Sequence, residues 1–390
     1  MRRSKAKPRA LRPPSLTDMQ LHTIWFIIVA FFWVGFFVLE GFDFGVGVLH
    51  AFVGSNETGR RVALTAIAPW WDGNEVWLIV AGASMFAAFP GWYATMFSAL
   101  YLALVLVLVA LMARGVSLEY RGKRESVRWR SAWTWALTIG SMLIPLLIGV
   151  ALGDLLNGLP INQHHDYTGS FADLLTGYGL MTGVTLLVLC LLHGATFLAL
   201  RTTGHLRDRA RAAGRRIGVV AILINLAWVI WTLVVIGGGT VPQPTQIFGM
   251  IAVVFAAVLT ATDRDGWAFF ASAFAIAAAI GQLFISLYPH VMVSSTSAAN
   301  NLTVNNVASG HYPLVVMTVV AVILLPVVLL YQGWSFRVFR RRVTPPAAST
   351  TGAAASVGAA AVATGVASAT GGSPSGPAMA RGSGESPDSA

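Results

Sequence analysis

Residues 67–82 read IAPWWDGNEVWLIVAG, and the placement of this stretch decides the fold. Apolar sequence flanks it on both sides, yet Asp72, Gly73, Asn74 and Glu75 follow one another between Trp71 and Trp77. On a soluble helix such acids need no explanation. In a helix dissolved in lipid, an ionised carboxylate near the centre costs on the order of 2.5–3.5 kcal/mol. Two acids three residues apart therefore call for a reason.

Composition favours lipid. The 390 residues are 56% hydrophobic and 11% charged, with mean hydropathy +0.69, whereas a soluble domain carries about 25% charged residues. The expected class is an all-α polytopic integral membrane protein. The single cysteine, Cys190, excludes an internal disulfide framework and any multi-cysteine metal site. The net charge of +10 suggests a nucleic-acid binder until its distribution is seen, because the basic residues sit in short gaps between apolar runs.

At roughly 20 apolar residues per crossing, about nine spans are expected: 21–49, 62–89, 92–113, 131–153, 172–200, 217–237, 246–262, 267–288 and 313–335. Alternate gaps (50–61, 114–130, 201–216, 263–266 and 336–343) hold 19 of the 26 Lys and Arg residues, and the other gaps hold none. By the positive-inside rule the first set is cytoplasmic, with the N-terminus of the first helix outside and the C-terminus inside. Three regions are expected. Residues 1–20 form a basic extension, with Met19 a candidate native start, and 21–343 form the membrane domain. Residues 344–390 form a disordered Ala/Gly/Ser/Pro-rich cytoplasmic tail.

This orientation places the acids. Glu40 and Asp43 fall in the inner half of the first helix, and Asp72 and Glu75 in the inner half of the second. At i,i+3 spacing each pair shares a helix face, so the four carboxylates are expected to converge on the cytoplasmic side. Burial and like charge tune grouped acids for proton transfer. The plainer alternative is that they cap helices, pair with Arg60 or Arg61, or lie among headgroups. For Asp43 and Glu75 the two readings balance, while Asp72, flanked by tryptophans, leans toward function. Gly41, Gly45 and Gly47 on one helix and Gly73 and Gly82 on the other suit close helix approach, and Asn74 suits a hydrogen bond across it.

Of the histidines, only His193 lies well inside an apolar run, and no partner at matching depth presents itself for a bis-axial haem. An interhelical hydrogen bond is the better reading. Trp25, Trp92, Trp133, Trp267 and Trp334 lie near span ends, where aromatic belts form. Trp71 and Trp77 lie beside the polar cluster instead. No Walker loop, dinucleotide fingerprint or HExxH motif appears.

GFDFGVG at 41–47, WDGNEVWL at 71–78, FPGWYA at 89–94 and RGVSLEYR at 114–121 together closely resemble subunit II of the cytochrome bd quinol oxidases. The segments WRSAWTWALTIGSMLIPLLIGVALGDLLNGLP, HGATFLALRTTG and YPHVMVSSTSAANNLTVNNVASG agree, so the resemblance covers about residues 20–340. It implies two four-helix bundles plus one peripheral helix in a bacterial cytoplasmic membrane. It also implies a haem-free chain whose partner, subunit I, carries haems b558, b595 and d and the quinol-oxidising loop. Such a complex oxidises menaquinol or ubiquinol and reduces O2 to water. It takes protons from the cytoplasm and builds a potential without pumping. Some members hold small accessory subunits or a structural quinone. Carried over residue by residue, Trp71 and Asp72 match the family's proton path, with Glu40, Asp43 and Glu75 beside it, and Trp77 matches a tryptophan at the mouth of an oxygen channel. Glu40 stands where a family member has Asp. Two other classes compete: a proton-coupled secondary transporter and a stand-alone haem protein using His193.

Overall fold

The computed structural model describes residues 16–236 and 242–344. Most of the expected basic extension and the tail from 345 lie outside the described residues. The first helix, α1 (Leu16–Val53), begins before the expected position 21. Its 38 residues span about 57 Å, well beyond a hydrocarbon core of about 30 Å.

The second expected span, 62–89, is not one helix. α2 (Glu57–Ile67) starts at Asn56, whose Oδ1 accepts the Gly59 N–H at 2.8 Å. A turn over 68–70 then separates it from α3 (Trp71–Ala88). Pro69 has no N–H to continue the ladder, and Trp70 leaves helical geometry at φ −125°. The quoted acids thus open a new helix rather than interrupting a long one. The third span also breaks, into α4 (Pro90–Ala99) and α5 (Tyr101–Tyr120), with Leu100 between them. Pro90 sits at the first turn of α4, where its missing N–H costs nothing. α5 runs past the expected end at 113 as far as Tyr120, which carries Arg114 into the helix.

The remaining helices are α6 (Val127–Asn157), α7 (Gly177–Arg201), α8 (Gly204–Trp231), α9 (Pro244–Leu259), α10 (Asp265–Leu287) and α11 (His311–Val338). Among the described residues seven helices are long and apolar enough to cross a membrane: α1, α5, α6, α7, α8, α10 and α11. The expected count of nine is therefore not reached on length and composition. α3 carries its acids within 18 residues, and α9 has 16 residues. An antiparallel pair, β1 (His290–Met292) with β2 (Leu302–Thr303), was not expected in the all-α reading and sits in the loop after α10.

α1 is the hub. It packs against α3, α6, α7 and α10, α6 packs along α7, and α5 packs on α6. α7, α8, α9 and α10 form a ring in which each touches the next and α10 returns to α7. α11 lies against α1 and α3 with most of its apolar side chains exposed. At the α1–α7 crossing, Gly45 and Gly194 meet backbone to backbone. A Cβ on Gly45 would stand 2.8 Å from both the Gly194 Cα and N. Phe36, Phe37 and Phe44 of α1 fill the core, and Phe42 stacks on Phe197 of α7 at 4.2 Å. Trp25 and Trp92, expected in an aromatic belt, are buried, whereas Trp267 and Trp334 are exposed.

Candidate functional site

The polar centre of the molecule is built on an arginine. Arg114, from α5, is fully buried and pairs with Glu40 of α1 at 2.5 Å and with Glu75 of α3 at 3.2 Å. Its guanidinium carbon lies 5.0 Å from the Phe44 ring and 6.0 Å from that of Trp71, close enough for cation–π attraction. Gly140 of α6 lets that helix close over the arginine, since a Cβ there would stand 2.8 Å from the Ala110 carbonyl and 3.3 Å from Arg114 Cβ.

Asp43 lies one turn from Glu40 and is also fully buried. Asn74 donates to its Oδ2 at 2.7 Å and to the Leu39 carbonyl at 2.9 Å, which holds α3 to α1. Gln332 of α11 donates to Asn74 Oδ1 at 2.9 Å. Glu40 and Glu75 thus share one guanidinium, and Asp43 lies beside them on α1, held by Asn74. Glu40 Oε2, Asp43 Oδ1 and Arg114 Nε have no hydrogen-bond partner among the described residues. With three carboxyls and a single cation, the acids are not each locked into their own ion pair. That is the condition for passing a proton among them.

The expected acids thus separate. Glu40, Asp43 and Glu75 come together, and Trp71 flanks them half-buried. Asp72 does not join. It is exposed in the first turn of α3 and has no hydrogen bond or ion pair among the described residues. Asp72 and Glu75 are near enough to repel electrostatically, but only Glu75 reaches Arg114. Trp77 is buried farther along α3, edge-on to Phe31 and Phe32 at 6.1 and 6.2 Å. Any Cβ at Gly35 would collide with its ring. Close by, Trp33, Leu78, Met85, Leu104, Leu108 and Ile148 contribute to the wall of an almost wholly apolar groove of about 400 Å³.

His193 meets the interhelical expectation. Its Nδ1 lies 2.8 Å from Ser272 Oγ of α10, its Nε2 lies 3.1 Å from the Val38 carbonyl of α1, and the ring stacks on Phe269 at 4.5 Å. Among the described residues no group of three or more His, Cys, Asp and Glu side chains is placed to hold a metal ion. The sequence reading missed Arg114 and Gln332. Standing at the end of the apolar run, Arg114 reads from sequence as a loop residue.

Known proteins match this chain over most of its length. The family model described as cytochrome bd terminal oxidase subunit II matches residues 21–339. The chain is 43% identical over 328 residues to the Bacillus subtilis cytochrome bd ubiquinol oxidase subunit 2, a match covering 83% of this chain and 97% of that protein. It is 37% identical over 361 residues to the Escherichia coli cytochrome bd-I ubiquinol oxidase subunit 2, covering 83% of this chain and 95% of that protein. In fold it is similar to a chain of the bd oxidase from Geobacillus thermodenitrificans. That match has a TM-score of 0.66 at 19% identity and covers 82% of this chain and 99% of that one.

Proposed function

The chain belongs to the cytochrome bd terminal oxidase subunit II family, a multi-pass membrane subunit of a terminal oxidase complex, and from that premise we propose the part it plays. It is the haem-free subunit that supports haem-bearing subunit I, and it supplies that subunit with a cytoplasmic proton path and an oxygen channel. The complex oxidises quinol and reduces O2 to water. Protons drawn from one side for water formation make the reaction electrogenic without a pump.

The observation that carries the proton role is the cluster at Arg114, in which Glu40 and Asp43 are fully buried and Glu75 is half-buried. The guanidinium offsets the cost of holding carboxylates away from water, and the surplus acids hold and release protons beside it. Asp72, exposed on the same helix, is the group free to exchange protons with the partner subunit or with water. Trp77 belongs to the oxygen side of the account, because it stands in an apolar surround next to the groove. O2 is apolar and partitions into such surroundings. The haems belong to subunit I. A structural quinone fits this chain in the groove, where the apolar walls suit an isoprenoid tail. Trp33 lines it, and the buried Nε1 of Trp33 has no acceptor among the described residues. The basic gaps place the His50 end of α1 and the C-terminus on the cytoplasmic side.

A proton-coupled transporter is the reading of another class. Such folds repeat their binding elements in two halves. In the ring α7–α10 the acids are Asp208 and Asp265, both near helix ends, and Asp265 is tied to Arg207 and Arg211. The acid cluster therefore has no counterpart there. The test is Asp43→Asn in the assembled complex. Turnover should fall about tenfold with assembly and haem content unchanged, and normal turnover would remove the cluster from the proton path.

A further inference from the structure

A second polar stripe leads from the acid cluster toward the His50 end of α1. Glu40, Asp43, Gly47 and His50 recur at i, i+3, i+7 and i+10 on one face of α1. Thr134, Thr138 and Ser141 recur at i, i+4 and i+7 on α6. The stripes meet where Gly47 opposes Ser141. A Cβ at Gly47 would stand 2.8 Å from Ser141 Cβ and closer still to its hydroxyl, so only glycine admits that hydroxyl to the face of α1.

Along this seam the side chains are buried, yet Asp43 Oδ1, Ser141 Oγ, Thr138 Oγ1 and His50 Nε2 all have no hydrogen-bond partner among the described residues. His50 Nδ1 lies 2.7 Å from the Gly47 carbonyl. A carbonyl only accepts, so Nδ1 carries a hydrogen, and in the neutral imidazole Nε2 then keeps a free lone pair. At the far end Arg121 donates to Thr134 Oγ1 at 2.8 Å and to both Glu57 oxygens at 2.9 and 2.8 Å. The Glu57 side chain is 33% exposed. Each bare polar atom buried in such a place costs about 1–3 kcal/mol unless something bonds to it. Buried water is the usual partner, making about three hydrogen bonds.

We infer that α1 and α6 enclose a file of water running from the Glu57–Arg121 pair past His50, Thr138 and Ser141 to Asp43, and that it feeds the acid cluster with protons. The inference rests on the proton-path reading of that cluster. It adds an intake inside this chain, separate from the exposed Asp72. The seven residues from His50 to Asp43 span about 10 Å, a distance that three or four waters at about 2.8 Å cover. Each hop breaks one O–H bond and forms the next, so a proton taken up beside Glu57 is matched by one delivered to Asp43. His50 is a positioning residue, because its lone pair orients a water of the file.

The test uses the assembled complex. Ser141→Val, which fills the seam, should lower quinol oxidase turnover at least fivefold with haem content unchanged. Ser141→Ala, which leaves room for water, should keep more than half. In inside-out vesicles, which expose the cytoplasmic face, Ser141→Cys should react with a small cationic methanethiosulfonate at least tenfold faster than Leu155→Cys, a buried apolar position about four turns farther along α6. Cys190 is common to both and buried. Full turnover in Ser141→Val, or equal reactivity of the two cysteine variants, overturns the water file. If Asp43→Asn has normal turnover, the proton-path reading itself fails, and the thiol rates still decide whether the seam is hydrated. If Ser141→Val does not assemble, the thiol comparison decides alone.

Discussion

Removing Arg114 should damage the protein more than removing any acid it serves. Arg114→Met keeps most of the volume and deletes the charge, leaving Glu40 fully buried without its cation at 2.5 Å. Breaking a buried pair from one side costs about 3–5 kcal/mol. The Glu75 contact adds little, roughly 0.5 kcal/mol, because that side chain is 24% exposed. The cost should be largely the stranded Glu40, so Glu40→Gln in the same chain should return about half of it or more. The assay is a double-mutant cycle on unfolding in mixed micelles, using Arg114→Met, Glu40→Gln and the pair. A coupling of about 2 kcal/mol or more is expected. An Arg114→Met chain within about 0.5 kcal/mol of the parent, or two additive losses, would refute the claim that this ion pair organises the site.

Asp72→Asn should slow turnover several-fold while leaving stability within about 0.5 kcal/mol, because the side chain is exposed and has no partner among the described residues. Steady-state assays with denaturation midpoints check both halves. Trp77→Ala should change the oxygen dependence of turnover more than its quinol dependence, as oxygen-electrode titrations at fixed quinol would show. Gly45→Ala should cost about 1–3 kcal/mol, because the new methyl meets the Gly194 backbone at 2.8 Å. The readout is accumulation of the assembled complex. At Glu57, burial pushes the pKa up, but the hydrogen bonds and charge of Arg121, with Arg61, outweigh it and hold the carboxyl below its ordinary 4.5. A depressed acid stabilises above its ordinary value and loses that contribution as pH falls through the lowered one. The stability gap between parent and Glu57→Gln should therefore stay constant above about pH 5 and close in more acid solution. A pH-independent gap would count against the pair.

The sequence disclosed the apolar spans because mean hydropathy is a sum over many residues and survives local error. It also disclosed Glu40, Asp43 and Glu75, whose spacing fixes a shared face whatever the helix ends. Asn74 was legible for the same reason, and its bond to Asp43 bears out the expected contact across helices. Arg114 was not legible, because a cation at the end of an apolar run reads as a loop residue. Only the continuation of α5 to Tyr120 brings it inside. The break after α2 had a visible cause in Pro69, whereas Leu100 lies in uninterrupted apolar sequence and gave no sign. Spacing, depth and the family resemblance group Asp72 with Glu75, and none of them says which of two neighbours reaches a third helix.

The most direct test of the whole account is purification of this chain, affinity-tagged, from its native membrane. It should arrive with a haem-bearing membrane partner and quinol-dependent O2 consumption. Reduced-minus-oxidised spectra should show haem bands only while that partner is present. Recovery of the chain alone, or haem bands that stay with the isolated chain, would contradict it.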